Sequence, residues 1–216
     1  YGRRLVQRLL RDEVGDPAGR LAVLDVGSGA GAWAPVLRPY AADYCGLDLV
    51  AGPSVTLVAS AEKMPLPDDC FDLVFSNAVL EHVRDYRAAV AEMHRVVKPD
   101  GVVVLGTHGT WEIHGAPHDF WRWTPYGLRE TFAAFADVRI VQAGGPAMNY
   151  HQFRNLYLRR WQEAHPRWRG LLSPLIAWHN LLGARDGDRS EPPATLAAFY
   201  YVVARKRARR GTTTTP

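Results

Sequence analysis

At 216 residues the chain suits one domain with a substantial buried core, and its formal net charge is +4. Residues 1–150 hold 14 Lys and Arg against 18 Asp and Glu, so the positive excess lies in residues 151–216 and disfavours a body that binds nucleic acid. Cys45 and Cys70 have neither metal-ligand nor disulfide spacing, which indicates a reducing, cytoplasmic compartment, and no stretch is long and apolar enough to span a bilayer.

Short apolar runs alternate with helical patterns along the chain. Leu and Val residues between positions 5 and 14 share one helical face, and residues 84–97 form a second amphipathic helix that stops at Lys-Pro-Asp-Gly. Seven apolar stretches are predicted strands: 21–26, 43–49, 55–59, 71–76, 101–107, 137–143 and 197–205. Because near-continuous apolar strands are buried on both faces, we predict a doubly wound α/β domain with a seven-stranded, mostly parallel sheet.

One domain is predicted over residues 1–210, beginning with an N-terminal helix over 1–15. Residues 146–185 form a predicted helical insertion before the last strand, with arginines placed between aromatic residues. A helical cap over the sheet edge is the simpler interpretation. The alternative is a lid that meets an anionic or lipid-linked acceptor, with peripheral membrane contact. Residues 206–216 are predicted to be a basic, disordered tail.

The stretch VLDVGSGAG joins the first predicted strand to a helix. Small residues let backbone N–H groups approach a ligand closely, and a helix N-terminus favours negative charge. Asp48 follows Gly27 by 21 residues, at the end of the second strand, where a carboxylate can accept hydrogen bonds from both hydroxyls of a ribose. This combination predicts a nucleoside cofactor.

The glycine loop alone does not decide which nucleoside cofactor binds, because it also fits a dinucleotide. Gly27, Gly29 and Ala32 satisfy the dinucleotide pattern G-x-G-x-x-A, which would make the protein a nucleotide-dependent oxidoreductase. Asp25 disfavours this alternative, because its carboxylate would point at the ligand tail, repel a pyrophosphate and attract an α-ammonium group.

The segment SAEKMPLPDDCFDLVFSNAVLEHV, residues 60–83, is the second feature that favours a cofactor other than a dinucleotide. With the glycine loop it resembles the class I S-adenosylmethionine-dependent methyltransferases, specifically the small-molecule group with an AExLPFPDxSFDLV segment, over residues 21–107. The resemblance implies a Rossmann-like methyltransferase fold and S-adenosylmethionine as cofactor. It implies these cofactor-binding residues: Asp25, Gly27, Ser28, Gly29, Asp48, Leu49, Ala61, Glu62 and Asn77. Ser60 departs from the family, which often has Asp there, and Glu62 is the candidate replacement as acceptor for the adenine amino group.

The stretch HDFWRWTPYGL, residues 118–128, follows the fifth predicted strand. Ligands bind outside the carboxyl ends of the strands in a doubly wound sheet. The connection that leads to this stretch is far longer than the usual connection of about 2–6 residues, and long loops in compact domains are usually functional. We therefore predict that Trp121, Arg122 and Trp123 contact a methyl acceptor. The stretch also resembles, more loosely, methyltransferases associated with glycans and other secondary products.

The chemistry of methyl transfer sets what else is needed. An alcohol or phenol acceptor needs a base to remove its proton, whereas a carboxylate needs none. His118 is the predicted base, with Asp119 as its orienting partner; the alternative pairs Asp119 with Arg122 while the tryptophans staple the following helix. We predict no metal, because His114 and His118 do not form a one-face helical pair and no thiolate joins them.

These features predict an S-adenosylmethionine-dependent methyltransferase that acts on a small-molecule or glycan-type acceptor, at oxygen. Two other functions stay open from the sequence. One is the nucleotide-dependent oxidoreductase, which lacks a recognisable second catalytic motif here. The other is a non-catalytic domain that binds S-adenosylmethionine as a sensor or scaffold.

Overall fold

A computed structural model describes residues 2–183 and 197–208. Its centre is a seven-stranded sheet with the strand order β3-β2-β1-β4-β5-β7-β6. The strands are β1 Leu21–Val26, β2 Ala41–Asp48, β3 Leu57–Val58, β4 Phe71–Asn77, β5 Val97–His108, β6 Asp137–Gln142 and β7 Phe199–Arg205. Neighbours pair in parallel except for β7, which is antiparallel to both β5 and β6. The predicted doubly wound, mostly parallel sheet is confirmed.

Helices pack on both faces of this sheet, because successive strand residues point to opposite sides. The helices are α1 Gly2–Val14, α2 Ala34–Leu37, α3 Tyr86–Val96, α4 Pro125–Thr131, α5 Pro146–Ala164 and α6 Arg169–Gly183. Val23 and Phe75 belong to the apolar cluster that includes α1 and α2, whereas their neighbours Leu24 and Val74 belong to the cluster that includes α3 and α4. The central strands are therefore buried on both faces, as their apolar sequences predict.

Side-chain caps fix the beginnings of α3 and α4. The Asp85 carboxylate accepts a hydrogen bond of 3.0 Å from the backbone N–H of Ala88, so α3 begins at Tyr86 rather than at the predicted residue 84. The Thr124 hydroxyl accepts a hydrogen bond of 3.1 Å from the backbone N–H of Gly127. Thr124 is thus the N-cap of α4 and is followed by a proline at the first helical position, as the sequence predicts.

The predicted insertion is a pair of helices, α5 and α6, between β6 and β7. Asn155 joins them: its side-chain amide donates to the side-chain oxygen of Asn180 at 2.8 Å, and its own side-chain oxygen lies 3.0 Å from Nδ1 of His179. Residues 184 and 185 of the predicted insertion lie outside the described residues. Within the described ranges, no helix is both long and apolar enough to cross a bilayer.

The predicted start of the disordered tail, residue 206, is too early in the chain. Lys206 directly follows β7, and its ammonium group donates to the Asp69 carboxylate at 2.6 Å and to the carbonyls of His94 at 2.7 Å and Val97 at 2.9 Å. Several acceptors converge on one cation here, so the ordered structure includes this residue. Residues 209–216 of the predicted tail lie outside the described residues.

Candidate active site

Hydrogen bonds hold the glycine loop after β1 against the end of β2. The backbone N–H groups of Gly27 and Ser28 donate to the carbonyl of Leu47 at 2.7 and 3.1 Å. The next glycine, Gly29, donates from its N–H to the Asp48 carboxylate at 3.0 Å. Gly27 has φ +78°, and a Cβ there would lie 2.1 Å from a methyl carbon of Val79, so only glycine fits. The loop and the predicted ribose acid therefore form one structural unit.

A cavity of about 540 Å³ opens at the carboxyl ends of β1, β2 and β4. This volume lies within the range of small-molecule sites, about 300–1,000 Å³. Five of the predicted cofactor-binding residues line it, namely Gly27, Asp48, Leu49, Ala61 and Glu62. Leu49 lines the cavity and is 70% exposed. An exposed apolar side chain in this position is suited to contact the face of a ligand ring. We call this the cofactor cavity.

Four of the predicted cofactor-binding residues, Asp25, Ser28, Gly29 and Asn77, do not line this cavity. The Asp25 side chain is buried and accepts a hydrogen bond of 2.7 Å from the Tyr44 hydroxyl. Burial raises the pKa of Asp25 to about 6, although the Tyr44 hydrogen bond acts in the opposite direction. The Ser28 hydroxyl is also buried and donates to the carbonyl of Ser54 at 3.3 Å. Roles for these residues in cofactor binding stay predictions.

A second cavity, of about 290 Å³, begins at the ends of β4 and β5. Asn77, His108 and Trp111 line it together with Phe199 and Tyr201 of β7, and α5 closes it from the other side. The side-chain oxygen of Asn77 accepts a hydrogen bond of 3.1 Å from the Tyr201 hydroxyl. We call this the second cavity. It combines ring faces with an amide, which suits a small ligand that is partly apolar.

The segment between β5 and α4 lies against the loop that follows β4. The backbone N–H groups of Phe120 and Trp121 donate to the carbonyl of Glu81 at 2.9 and 3.3 Å. The Trp121 indole N–H donates to the carbonyl of Val83 at 2.8 Å. The rings of Trp121 and Trp123 both contact the Tyr86 ring edge-on, with centroids 4.9 and 4.7 Å apart. These contacts hold the segment in place.

Arg122 and Asp119 form a bidentate ion pair within this segment. Two guanidinium nitrogens donate to the two carboxylate oxygens at 2.6 and 2.7 Å, and the guanidinium also donates to the carbonyl of Glu112 at 2.7 Å. The pairing holds the pKa of the Asp119 carboxyl well below its ordinary value. This is the arrangement that the sequence left as the alternative. Neither cavity is lined by Trp121, Arg122 or Trp123, so substrate contact by these residues stays a prediction.

The side chain of His118 is exposed and lines the cofactor cavity, close to Phe120. Its backbone carbonyl lies 2.6 Å from Nδ1 of His82. The Asp119 carboxylate is engaged by Arg122 and by the backbone N–H of His114 at 2.8 Å, so it orients the segment and not the His118 ring. A catalytic role for His118 stays a prediction.

A buried polar cluster joins the loop after β4 to the end of β5. Glu81 has no exposed surface, and one of its carboxylate oxygens accepts a hydrogen bond of 2.7 Å from the Thr107 hydroxyl. The other oxygen contacts Nδ1 of His108. Although burial raises the pKa of Glu81, the hydrogen bonds from His108 and Thr107 outweigh it, and the pKa lies below its ordinary value. Glu81 was not among the site residues predicted from the sequence; the adjacent Glu81 and His82, shortly after a buried strand, were the available signal.

Part of this chain matches a known protein family. Residues 24–105 match the methyltransferase domain family. A malonyl-[acyl-carrier protein] O-methyltransferase of Halorhodospira halophila is 32% identical over 149 residues, which cover 64% of this chain and 44% of the relative. The chain thus spans less than half the length of that relative.

Solved structures share the fold at low sequence identity. A phosphoethanolamine N-methyltransferase 2 of Haemonchus contortus, in complex with phosphomonomethylethanolamine and S-adenosylhomocysteine, superposes with a TM-score of 0.61 at 16% identity, over 94% of this chain and 52% of that one. The [4+2]-cyclase SpnF superposes with a TM-score of 0.61 at 19% identity, over 96% and 81% of the two chains. The seven-stranded sheet is therefore the Rossmann-like class I methyltransferase fold, and residues 24–105, which include the glycine loop, match the methyltransferase domain family.

Proposed function

We propose that the protein transfers the methyl group of S-adenosylmethionine to an oxygen atom of a small-molecule or glycan-type acceptor. One relationship carries the proposal: the adjacent residues Asn77 and Ala78 line different cavities. A cofactor whose ribose binds at Asp48 would extend along the glycine loop towards these residues. Its methyl group would then lie beside an acceptor in the second cavity.

The proposed reaction needs positioning more than activation. The acceptor oxygen attacks the methyl carbon in line with the carbon–sulfur bond, that bond breaks, and S-adenosylhomocysteine and the acceptor's proton are released. Because the sulfonium is already activated, holding the two reactants in line supplies much of the rate, up to about 7–11 kcal/mol. Two cavities that meet at one loop are suited to this task.

The second cavity favours a small acceptor with an unsaturated or apolar part. Its walls include the rings of His108, Trp111 and Phe199, whereas Asn77 and Gln152 supply amide groups that can fix orientation. Transfer to oxygen is supported by the relative that is named an O-methyltransferase. The acceptor itself is a matter for the experiment below.

An alcohol or phenol acceptor must lose its proton during transfer. We propose His118 as the base, because the segment between β5 and α4 contributes both His118 to the cofactor cavity and Trp111 to the second cavity, where the acceptor is proposed to bind. Asp119 contributes by fixing that segment through Arg122. Removing the base from such a reaction lowers the rate by about 10²–10⁴-fold.

A second candidate function has one specific observation in its favour. The solved structure of the [4+2]-cyclase SpnF shares this fold, and that protein is named for a reaction other than methyl transfer. A domain that binds S-adenosylmethionine without transferring its methyl group would use the cofactor cavity alone. The nucleotide-dependent oxidoreductase is disfavoured by the family match.

Two measurements test the proposed function. Calorimetric titration with S-adenosylmethionine, S-adenosylhomocysteine and NAD should show binding of both sulfur compounds and none of NAD. Incubation with methyl-labelled S-adenosylmethionine and fractionated cell-extract metabolites should label an acceptor, whose mass and alkaline stability identify the modified atom. Cofactor binding with no labelled product in any fraction would favour the non-catalytic alternative, and binding of NAD alone would overturn the proposal.

A further inference from the structure

Three side chains with metal-ligand atoms converge at the boundary of the two cavities. Glu81 and His82 lie on the short helical turn after β4, and His114 lies on the segment after β5. One oxygen of Glu81 and one ring nitrogen of each histidine all lie within 4.8 Å of one another. We propose that these three residues bind a divalent transition-metal ion.

Hydrogen bonds prepare both histidines as ligands. Nδ1 of His82 lies 2.6 Å from the carbonyl oxygen of His118, and Nδ1 of His114 lies 3.1 Å from the carbonyl oxygen of Glu112. A carbonyl can only accept, so each Nδ1 carries the proton and each Nε2 keeps its lone pair. Metal-binding histidines in proteins almost always donate their second ring N–H in this way.

The ring nitrogen of His114 that does not contact Glu112 lies close to the Glu81 carboxylate. Nε2 of His114 lies 3.9 Å from Oε1 of Glu81, a separation that an ion can bridge after a small shift because each metal bond is about 2.0–2.2 Å long. The rings of His82 and His114 meet edge to face, with centroids 4.8 Å apart. Both imidazoles thus lie beside each other and within 4.8 Å of a Glu81 oxygen through one ring nitrogen each.

Contacts with neighbouring side chains also fix the orientation of the Glu81 carboxylate. Thr107 donates to one oxygen of Glu81, and His108 contacts the other, so the side chain has a single orientation. Each carboxylate oxygen has two acceptor sites, and Oε1 can therefore contact His108 and an ion together. Glu81 has no exposed surface, and a bound cation would offset the free-energy cost of burying its charge.

The ligand set selects the class of ion. Two imidazole nitrogens and one carboxylate oxygen suit Zn²⁺, Co²⁺, Ni²⁺ or Fe²⁺, whereas Mg²⁺ and Ca²⁺ prefer oxygen ligands. His82 lines the cofactor cavity, and His108, whose ring contacts that of His114 with centroids 4.7 Å apart, lines the second cavity. An ion here would lie between cofactor and acceptor. No metal was predicted from the spacing of His114 and His118 in the sequence; the structure instead brings His114 to Glu81.

Metal titration of the full chain tests the inference without knowledge of the acceptor. The protein is freed of metal with a chelator and titrated with Zn²⁺ by calorimetry and with Co²⁺ by visible absorption, with Mg²⁺ as the comparison ion. We expect one Zn²⁺ per chain, a Co²⁺ absorption band, and little affinity for Mg²⁺. His82→Ala and His114→Ala should each weaken Zn²⁺ binding at least tenfold.

Matched variants separate this site from incidental binding by other histidines. His118→Ala keeps the backbone carbonyl that contacts His82, and His165→Ala removes a histidine stacked on Trp161 in the α5–α6 region. Both variants should bind Zn²⁺ as the unmodified protein does. Glu81→Gln preserves the shape of the buried side chain, and His114→Ala alters a partly exposed residue, so at least one ligand variant should stay folded by circular dichroism.

The outcomes distinguish the metal site from the proposed function. Zn²⁺ affinity that is equal in the unmodified protein and in the folded His82→Ala and His114→Ala variants would overturn the metal site. So would the absence of Zn²⁺ and Co²⁺ binding in a sample that binds S-adenosylhomocysteine. Conversely, a sample that binds Zn²⁺ at these residues but no S-adenosylhomocysteine would overturn the proposed function and leave the metal site standing.

Discussion

The backbone N–H of Gly29 donates a hydrogen bond of 3.0 Å to Oδ2 of Asp48. The other oxygen of the same carboxylate accepts a hydrogen bond of 3.3 Å from the backbone N–H of Val50. Asp48 therefore has two roles: it accepts hydrogen bonds that fix the glycine loop, and it lines the cofactor cavity. Its removal should affect the ligand and the loop together.

Replacing Asp48 by Ala should weaken binding of S-adenosylhomocysteine at least tenfold. The expected loss includes charge-assisted hydrogen bonds to the ribose, each worth about 1.5–3 kcal/mol. Calorimetric titration gives the dissociation constant directly. Asp43→Ala, which removes an exposed carboxylate from the same strand, is the matched control and should bind normally. Equal affinity in the two variants would show that the ribose binds elsewhere.

Replacing Asp25 by Asn should make stability less dependent on pH. Burial raises the folded-state pKa of Asp25 from 3.8 to about 6, so the folded protein retains this proton when the unfolded chain has lost it. The stability that comes from Asp25 is full below about pH 4 and is lost as pH rises through 6, by roughly 2–3 kcal/mol at 1.36 kcal/mol per pKa unit.

Urea unfolding at several pH values between about 4 and 8 measures this effect. The free energy of unfolding of the unmodified protein should fall relative to that of Asp25→Asn as pH rises. Asp43→Asn removes an exposed carboxyl from the same sheet and should show no such trend. A difference between the unmodified protein and Asp25→Asn that is constant across this range would show that Asp25 titrates normally in the folded state.

Replacing Arg122 by Ala should lower stability and leave cofactor binding nearly unchanged. The Asp119 side chain is only 2% exposed, and Arg122 supplies hydrogen bonds to both of its oxygens. Losing a hydrogen bond to a charged group costs about 1.5–3 kcal/mol. The melting temperature should fall, whereas affinity for S-adenosylhomocysteine should stay within about twofold because Arg122 does not line the cofactor cavity.

The double variant Arg122→Ala with Asp119→Asn provides the control, since it removes the unpaired charge. Its melting temperature should recover part of the loss. If Arg122→Ala melts normally and instead abolishes methyl transfer, then Arg122 contacts the acceptor, as the sequence first suggested.

Replacing Gly106 by Ala should impair methyl transfer more than cofactor binding. A Cβ on Gly106 would lie 2.5 Å from the side-chain oxygen of Asn77 and 2.7 Å from ring carbons of Phe199 and Tyr201. These three side chains line the second cavity, so they must shift into the space proposed for the acceptor. Labelled methyl transfer should fall at least tenfold, with a smaller change in S-adenosylhomocysteine affinity.

Gly170→Ala is the matched control, since the added methyl group meets nothing within 4 Å. Alanine is favoured over glycine in a helix by about 1 kcal/mol, so this variant should be active and at least as stable as the unmodified protein. Normal methyl transfer by Gly106→Ala would place the acceptor outside the second cavity.

The fold and the cofactor cavity were predictable because they follow from local patterns. The buried strands predict a parallel sheet, and parallel strands bring their carboxyl ends to one edge. The glycine loop and the acid at the end of the next strand are therefore expected at the same place. Gly27, Asp48 and Leu49 accordingly line one cavity, as predicted. Thr124 also caps its helix as predicted, because capping depends on residues close in sequence.

The polar cluster was not predictable in the same way. Glu81 contacts Thr107 and His108 across more than twenty residues, and His114 reaches Glu81 only because an irregular segment folds back over the loop after β4. Hydrophobic periodicity carries no information about irregular backbone. Helical spacing was the criterion for a metal-binding pair that includes His114, but His114 lies in a segment without helical structure.

The position of β7 has a consequence for how the protein is made. This strand comes last along the described chain, yet it lies between β5 and β6. A ribosome adding about 5–20 residues per second takes several seconds to pass from the end of β5 to β7. During that time the nascent chain has completed the residues of the family match but exposes an apolar strand edge, which favours association with other chains. The yield of folded protein in the cell should therefore depend on β7, a strand that carries few of the residues lining the ligand cavities.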